Sequence, residues 1–204
     1  MRLQRLVTAT VLTLSTALPA SAQQLRLNPA TMRKLGTVDP RYVSYNIEMV
    51  EVTGGRFWKP YAATENEPAS TPSNPNQQVG INPNLFQYRP PIHLDNPRLR
   101  KLATALGPAY VRVSGTWANT TYFQNDDDPP RQKPPSGFNG VLTRAEWKGV
   151  VDFARAVDDK IVTSVAISQG TRNAQGVWTS DQARALFDYT KSIGGSIAAS
   201  EFMN

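Results

Sequence analysis

The chain has 204 residues, of which 22 are Lys or Arg and 16 are Asp or Glu, giving a formal net charge of +6. It contains no cysteine, which excludes disulfides, thiol chemistry and cysteine metal sites. Its single histidine, His93, argues against a histidine metal cluster and against a Ser-His-Asp triad. Long basic runs interleaved with aromatic residues, typical of nucleic-acid-binding proteins, are also missing. We therefore expect no metal, no cofactor and no nucleic-acid partner.

The N-terminal residues have the pattern of a secretory signal. Arg2 and Arg5 form a basic start, residues 6–18 are mostly apolar, and an A-x-A cleavage site ends at Ala22. The alternative is a membrane anchor, but about 13 apolar residues are fewer than the roughly 20 that span a bilayer. Removal of residues 1–22 would leave 182 of the 204 residues and lower the charge from +6 by two, to +4. We expect a secreted or periplasmic protein with no membrane span, whose modest positive charge suits an acidic polysaccharide.

Four segments are predicted to be β-strands. The first is rich in β-branched and aromatic residues and ends before two glycines, and the third is a continuous apolar run typical of a buried strand. The predicted strands are 41–52, 109–115, 160–168 and 196–204.

Three helices are predicted between these strands. Pro97 suits the first position of a helix that ends near Leu106, and its leucines lie on one face. Capping boxes begin the other two helices, at Thr143 and at Thr179, each with Glu or Gln three residues later. The predicted helices are 96–106, 143–157 and 179–193, and the leucines are Leu99, Leu102 and Leu106.

Long irregular segments follow the predicted strands, whereas the connections after the helices are short. Residues 55–95 are rich in Pro and Asn and include the aromatics Phe57, Trp58 and Tyr61, and a second such segment covers 116–140. Loops of this length inside a domain are uncommon and are usually functional or disordered. The long loops are therefore expected at the edge of the sheet where the strands have their carboxyl ends.

The alternation of strands and helices predicts an α/β fold with a parallel sheet. Long loops at one end favour a (β/α)8 barrel, whose active sites lie at the carboxyl ends of the strands. Four parallel strands and three helices make up the N-terminal half of such a barrel, in a single domain over residues 23–204. An open doubly wound sheet is the alternative, but the residues after the first strand, "TGGRF", do not form its Gly-rich phosphate turn.

Three ordered segments resemble glycoside hydrolase family 79, which includes heparanase and β-glucuronidases. "YVSYNIE" (42–48) resembles the first barrel strand of the family, and "RLRKLATALGPAYVRVSGT" (98–116) resembles its first helix and second strand. "GTRNAQGVWTSDQARALFDYTKSIGGSIAASEFMN" (170–204) resembles its third helix and fourth strand. The resemblance implies a secreted hydrolase that cleaves β-linked uronic acid glycosides with retention of configuration.

In that family the fourth strand ends in Asn-Glu-Pro, and Asn204 matches the Asn, which binds the sugar beside the scissile bond. The resemblance implies that the Glu general acid/base directly follows Asn204 and that the Glu nucleophile lies on a later strand. We therefore expect the chain to be the first half of a catalytic barrel, with no catalytic carboxylate of its own and no turnover alone. The alternatives are a non-catalytic carbohydrate-binding protein and another barrel glycosidase of the same clan.

The other substrate-binding candidates lie near the predicted strand ends. By the resemblance, Glu48 and Thr116 match pocket positions of the family. Asn46 shares the strand parity of Glu48 and is a candidate on that ground. Ser168 and Gln169 are polar residues that follow the apolar run of the third strand. The alternatives are an ion pair between Glu48 and Arg112, a barrel-interior position for Asn46 and a turn-stabilising role for Thr116. Trp117 and Tyr122 are candidates for stacking on sugar rings.

Three further features are expected to have structural roles. Glu201 differs from Asn204 by three positions, so strand parity places it on the opposite face of the fourth strand and argues against catalysis. The run Asp126–Asp128 lacks the Gly and Glu of a calcium-binding loop and is expected to be a solvated turn. Asn119 begins an Asn-Thr-Thr glycosylation sequon.

Overall fold

The structure, a computed structural model, describes residues 27–60 and 85–204. The predicted signal sequence and Tyr61 lie outside the described residues. The chain divides into two compact units, Met1–Thr37 and Val38–Asn204. In the first, the described part contains a 3-10 turn, Pro29–Thr31, capped by the side chain of Asn28. Among the described residues, no helix combines the length and apolar character needed to cross a membrane.

The second unit is a mixed α/β structure built on a parallel sheet of four strands. Two smaller pairs of strands accompany it, one antiparallel and one parallel. The strands are Ser44–Glu48 (β1), Gly55–Trp58 (β2), Phe86–Arg89 (β3), Tyr110–Ser114 (β4), Thr121–Gln124 (β5), Gly140–Thr143 (β6), Lys160–Ser164 (β7) and Ile197–Glu201 (β8). The helices are Met49–Thr53 (α1), Pro97–Ala105 (α2), Arg144–Ala156 (α3) and Asp181–Ser192 (α4).

The main sheet has the strand order β1-β4-β7-β8, with every neighbouring pair parallel. These are the four predicted strands, in chain order, and α2, α3 and α4 are the three predicted helices between them. The long irregular segments contain the smaller pairs: β2 pairs with β3, and β5 pairs with β6.

The prediction of one strand over residues 41–52 is wrong beyond Glu48. There the chain enters α1, and the Glu51 side chain accepts the backbone N–H of Glu48 at 3.0 Å, as in a capping box. Gly54, at φ 70°, ends the helix in a conformation that suits glycine. Local capping therefore overrides the β-propensity of "MVEV" and turns the chain at the carboxyl end of the sheet.

The prediction for α2 is correct in position and for Leu99, which packs against the core, but wrong for the other two leucines. Asn96 caps the helix by accepting the backbone N–H groups of Arg98 and Leu99. Ala103 is buried, whereas Leu102 and Leu106 are 60% and 52% exposed.

The two later helices differ in how they begin. Thr143 forms the predicted capping box with Glu146 at the start of α3. The prediction of a capping box at Thr179 is wrong, because α4 begins one residue later and its N-cap is Ser180. Gln182 instead accepts the backbone N–H of Phe123 at 2.7 Å and so connects α4 to β5.

The two faces of the main sheet have different chemical character. On one face, fully buried apolar side chains of β4 and β7 pack with those of α3 in a single core. The other face carries polar or charged side chains from β1, β4 and β8 that are at least partly exposed, together with the fully buried Ser114. The core face includes Val111, Val113, Ile161, Trp147 and Phe153, and the polar face includes Asn46, Arg112 and Glu201.

One buried hydrogen bond joins the two longest helices. Trp147 of α3 is fully buried, and its indole N–H donates to the hydroxyl of Thr190 in α4 at 2.7 Å. The Thr190 hydroxyl in turn donates to the Leu186 carbonyl at 2.6 Å, so both buried polar groups are satisfied.

We expect Thr190→Val to destabilise the protein by about 1–3 kcal/mol, because it leaves the buried indole N–H of Trp147 without a partner. Thr190→Ser keeps the hydroxyl and serves as the control, with a smaller loss. Urea denaturation followed by tryptophan fluorescence measures both. Equal stability of the two variants would contradict this role of the hydrogen bond.

Candidate functional site at the carboxyl edge of the sheet

Each strand of the main sheet ends in a polar residue, and these four residues form one row across the sheet. Glu48 pairs with Ser114 in the parallel register, and Ser164 pairs with Glu201. Carboxyl ends of parallel strands are where α/β enzymes place their sites. The row therefore brings two carboxylates and two hydroxyls to the edge where the long loops begin.

Glu201 is the most heavily hydrogen-bonded residue of the row. Arg112 donates from Nε to Oε1 and from Nη2 to Oε2, both at 2.7 Å. The Ser164 hydroxyl donates to Oε2 at 2.7 Å, and the Ser114 hydroxyl lies 3.0 Å from the same oxygen. These bonds, with the one from Arg112 as the largest contribution, lower the pKa of Glu201 to about 2. Glu201 is thus a fixed anion at neutral pH.

Asn204 returns to the same cluster, which corrects the prediction that Glu201 lies on the opposite face from it. The strand ends at Glu201, and the chain bends at Phe202, so strand parity does not extend to Asn204. The Asn204 Oδ1 accepts from Arg112 Nη2 at 2.5 Å and lies 3.2 Å from the Ser114 hydroxyl. Asn204 and Glu201 therefore share two partners.

The cluster continues to β1 through Asn46. Arg112 Nη1 donates to Asn46 Oδ1 at 3.0 Å, and Asn46 Nδ2 donates to Glu48 Oε1 at 2.7 Å. Asn46 and Glu48 point the same way, as their parity predicted. The ion pair of Arg112 is with Glu201, at 2.7 Å, and Glu48 is linked to the guanidinium through Asn46.

Glu48 differs from Glu201 in its ionisation. Burial, followed by repulsion from Glu51, raises the pKa of Glu48, while its bond with Asn46 and the charge of Arg112 oppose this shift. Opposite shifts of two carboxyl groups in one cluster are typical of acid/base sites. The pKa of Glu48 therefore lies above that of Glu201, whose hydrogen bonds stabilise its ionised form.

Gly115 provides the space that Glu48 occupies. Its φ is +90°, and a Cβ at this position would lie 1.5 Å from Glu48 Oε2. The glycine after β4 is therefore required both by its backbone conformation and by the carboxylate packed over it.

The remaining predicted site residues are more loosely placed. Thr116 is exposed at the start of a 3-10 turn, Thr116–Thr120, directly after Gly115. Ser168 and Gln169 do not end the third strand as predicted, because β7 stops at Ser164 and they lie in the following loop. The Ser168 hydroxyl is buried without a hydrogen-bond partner among the described residues, and Gln169 is exposed.

Aromatic residues cluster beside this edge. Trp58 of β2 stacks on Phe86 of β3 with ring centroids 4.4 Å apart, and Phe57 packs edge-on against Trp117 at 5.4 Å. Trp58 is 41% exposed. Tyr122 packs against Phe138 with centroids 5.4 Å apart.

The acidic run is held by protein cations and amides. Asp126 accepts from Gln124 and lies 3.8 Å from Arg131, and Asp127 pairs with Arg144 at 3.1 Å. Within residues 27–60 and 85–204, no group of three His, Cys, Asp or Glu side chains could hold a metal ion.

The arrangement provides a dense set of donors and acceptors suited to hydroxylated ligands. Glu201 is an unsuitable general base, because its two oxygens are saturated by a guanidinium and two hydroxyls. Sequence reasoning missed Ser114 and Ser164 as members of the site, and it named Arg112 only as an alternative partner of Glu48. Ser114 and Ser164 are the last residues of β4 and β7, and Arg112 shares the parity of Ser114, so the signal for them depends on the observed strand ends.

The chain matches no protein-family model and no curated protein.

We expect Gly115→Ala to be more destabilising than Gly107→Ala. Both glycines have positive φ, +90° and +86°, but a Cβ at Gly107 meets no atom within 4 Å. Gly107→Ala therefore measures the backbone cost, about 1–2 kcal/mol, and Gly115→Ala adds the displacement of Glu48. Chemical denaturation of the two variants decides the point, and equal losses would contradict the close packing of Glu48.

Glu201→Gln is expected to lower the free energy of unfolding by about 1–2 kcal/mol at pH 7. The substitution replaces the carboxylate by a neutral amide and so removes its charge-assisted hydrogen bonds. Since the pKa of Glu201 is lowered, its contribution is present above the ordinary value of 4.5 and is lost as pH falls toward about 2. The variant should therefore lose less stability than the wild type over that range. Asp127→Asn, which removes a carboxylate that is 84% exposed, is the control and should leave the acid profile unchanged. Parallel acid profiles for wild type and Glu201→Gln would exclude the proposed ionisation.

Proposed function

We propose that the chain is the first half of the catalytic barrel of a retaining glycoside hydrolase that cleaves β-linked uronic acid residues from a polysaccharide. The observation that carries this proposal is the polar cluster around Arg112, which gathers Glu201 and Asn204 at the carboxyl edge of a parallel sheet. Asn204, which matches the sugar-binding Asn of family 79, supplies the link between this geometry and the reaction.

The strand order favours a barrel over a doubly wound sheet. The four strands of the main sheet neighbour one another in chain order, β1-β4-β7-β8, without a reversal. In a doubly wound sheet the order of the strands reverses at a switch point, and the ligand binds there. The four strands have the order expected of the first four strands of a (β/α)8 barrel.

The outer side of β8 supports the same interpretation. Among the described strands, β8 pairs only with β7, and an apolar groove of about 460 Å³ lies beside it. Phe187 of α4 and Ile197 and Ala199 of β8 are among the residues that line this groove. An unpaired strand edge with an adjacent apolar groove suits the packing of a further strand and helix.

Hydrolysis with retention requires two carboxyl groups about 5–5.5 Å apart. In this proposal the general acid/base is the Glu that follows Asn204, and the nucleophile comes from a later strand. Asn204, Glu48 and Thr116 bind sugar hydroxyls, and Arg112 holds the side chain of Asn204 from the interior. Asn46 orients Glu48 by its bond to Oε1. Gln169, exposed in the loop after β7, is an outer contact, whereas the neighbouring Ser168 hydroxyl is buried.

A secreted carbohydrate-binding protein without catalysis is the second candidate. The exposed ring of Trp58, stacked on Phe86, favours it because sugars bind to aromatic faces without any need for paired acids. A barrel glycosidase of the same clan that acts on neutral sugars differs from the main proposal only in its substrate.

The proposal predicts that the gene encodes Glu-Pro after Asn204 and that the full-length protein hydrolyses aryl β-glucuronides with retained configuration. Turnover on a panel of aryl glycosides, with the product anomer followed by NMR, measures both the sugar and the stereochemistry. Binding without turnover would favour the second candidate, and activity on neutral glycosides alone would favour the clan relative. Another codon in place of that Glu would overturn the proposal.

Asn204→Asp provides a sharper test in the same assay. The carboxylate keeps an acceptor for Arg112 but loses the amide donor to the substrate, so we expect kcat/KM to fall about 10²-fold with a small change in stability. Asn173→Asp is the matched control, since Asn173 uses its Oδ1 to accept two backbone N–H groups in the loop after β7. Wild-type kcat/KM in Asn204→Asp would refute the role of Asn204.

A further inference from the structure

Asn119 makes two hydrogen bonds with the backbone of Asn204. Its Oδ1 accepts the Asn204 N–H at 3.0 Å, and its Nδ2 donates to the Asn204 carbonyl at 3.1 Å. One primary amide thus bonds to the backbone N–H and to a backbone oxygen of Asn204, the last residue of the sequence, which lies beyond the last paired residue of β8. The contact continues the hydrogen bonding of the sheet past its edge, with a side chain in place of a strand.

The backbone of Asn119 is fixed by a second loop. Its carbonyl accepts the N–H groups of Ile167 and Ser168, at 2.9 and 3.0 Å. Asn119 lies in the 3-10 turn after β4, and these two residues follow β7. A single residue therefore connects the segments that follow three neighbouring strands, and it contacts Asn204 from a support that is itself restrained.

We propose that Asn119 is a positioning residue that sets the backbone at Asn204 and, through it, the carboxyl group of the next residue. This role rests on the function proposed above, in which that next residue is the general acid/base. An acid on a strand end needs a fixed backbone to stay within hydrogen-bond reach of the glycosidic oxygen. Arg112 and Ser114 hold the side chain of Asn204, whereas Asn119 alone among the described side chains bonds to its backbone.

The first test needs no activity. Hydrogen exchange of the full-length secreted protein, read in peptides that include Asn204, reports on the protection of its backbone N–H. Asn119→Ala should increase the exchange rate of that N–H about tenfold. Asn96→Ala is the matched control, because Asn96 also accepts two backbone N–H groups, at the start of α2, and has no contact with Asn204.

The second test separates positioning from general stability. Asn119→Ala should lower kcat about 10–100-fold with little change in KM, while Asn96→Ala leaves both unchanged at a comparable loss of thermal stability. Asn119→Asp keeps the acceptor but sets a carboxylate against the Asn204 carbonyl. Its kcat should recover relative to wild type as pH falls and the Asp becomes a donor, a pH response that a merely structural role would not give.

Wild-type exchange at Asn204 in Asn119→Ala would overturn the proposal whether or not the protein is a glycosidase. Faster exchange with an unchanged kcat would overturn the positioning role while leaving the contact. Faster exchange in a protein that turns over no glycoside would refute the proposed function and, with it, the catalytic purpose of the residue.

Discussion

The ion pair between Arg112 and Glu201 is the interaction on which the polar side of this sheet depends. Two charged groups from β4 and β8 meet across the intervening strand β7, with two bonds of 2.7 Å and each side chain about one-third exposed. Without a fixed partner, a guanidinium on a sheet face would be hydrated and could pair with any nearby carboxylate. Paired in this way, it becomes a rigid centre with donors left for Asn46 and Asn204.

The rest of the cluster follows from how few partners each group can use. The hydroxyls of Ser114 and Ser164 lie within hydrogen-bond distance of each other and of Glu201. Each hydroxyl has one proton, so when Ser164 donates to Glu201, Ser114 has one proton for Ser164, Glu201 or Asn204. Such a network has a small number of low-energy arrangements.

Features that depend on local sequence were predictable, and those that depend on strand register were not. The capping box at Thr143 involves residues three apart, and the sequence alone identified it. The position of Glu201 relative to Asn204 required knowing where β8 ends, which strand parity cannot tell. Leu102 and Leu106 have the spacing of a buried face, but the positions of α2 that pack in the core are Leu99 and Ala103. The partner of Arg112 is 89 residues away in sequence and is set by the pairing of three strands.

The amide of Asn119 has a practical bearing on how the protein is made. Asn119 and the two threonines after it form an acceptor sequence for N-linked sugars, and the nitrogen that would carry the sugar is the one that donates to the Asn204 carbonyl. Attachment happens while the chain is still entering the secretory compartment, before that contact exists. In a yeast or mammalian secretory host, an oligosaccharide on this nitrogen would therefore occupy the space between Asn119 and Asn204. A bacterial host without that modification would yield the unmodified amide.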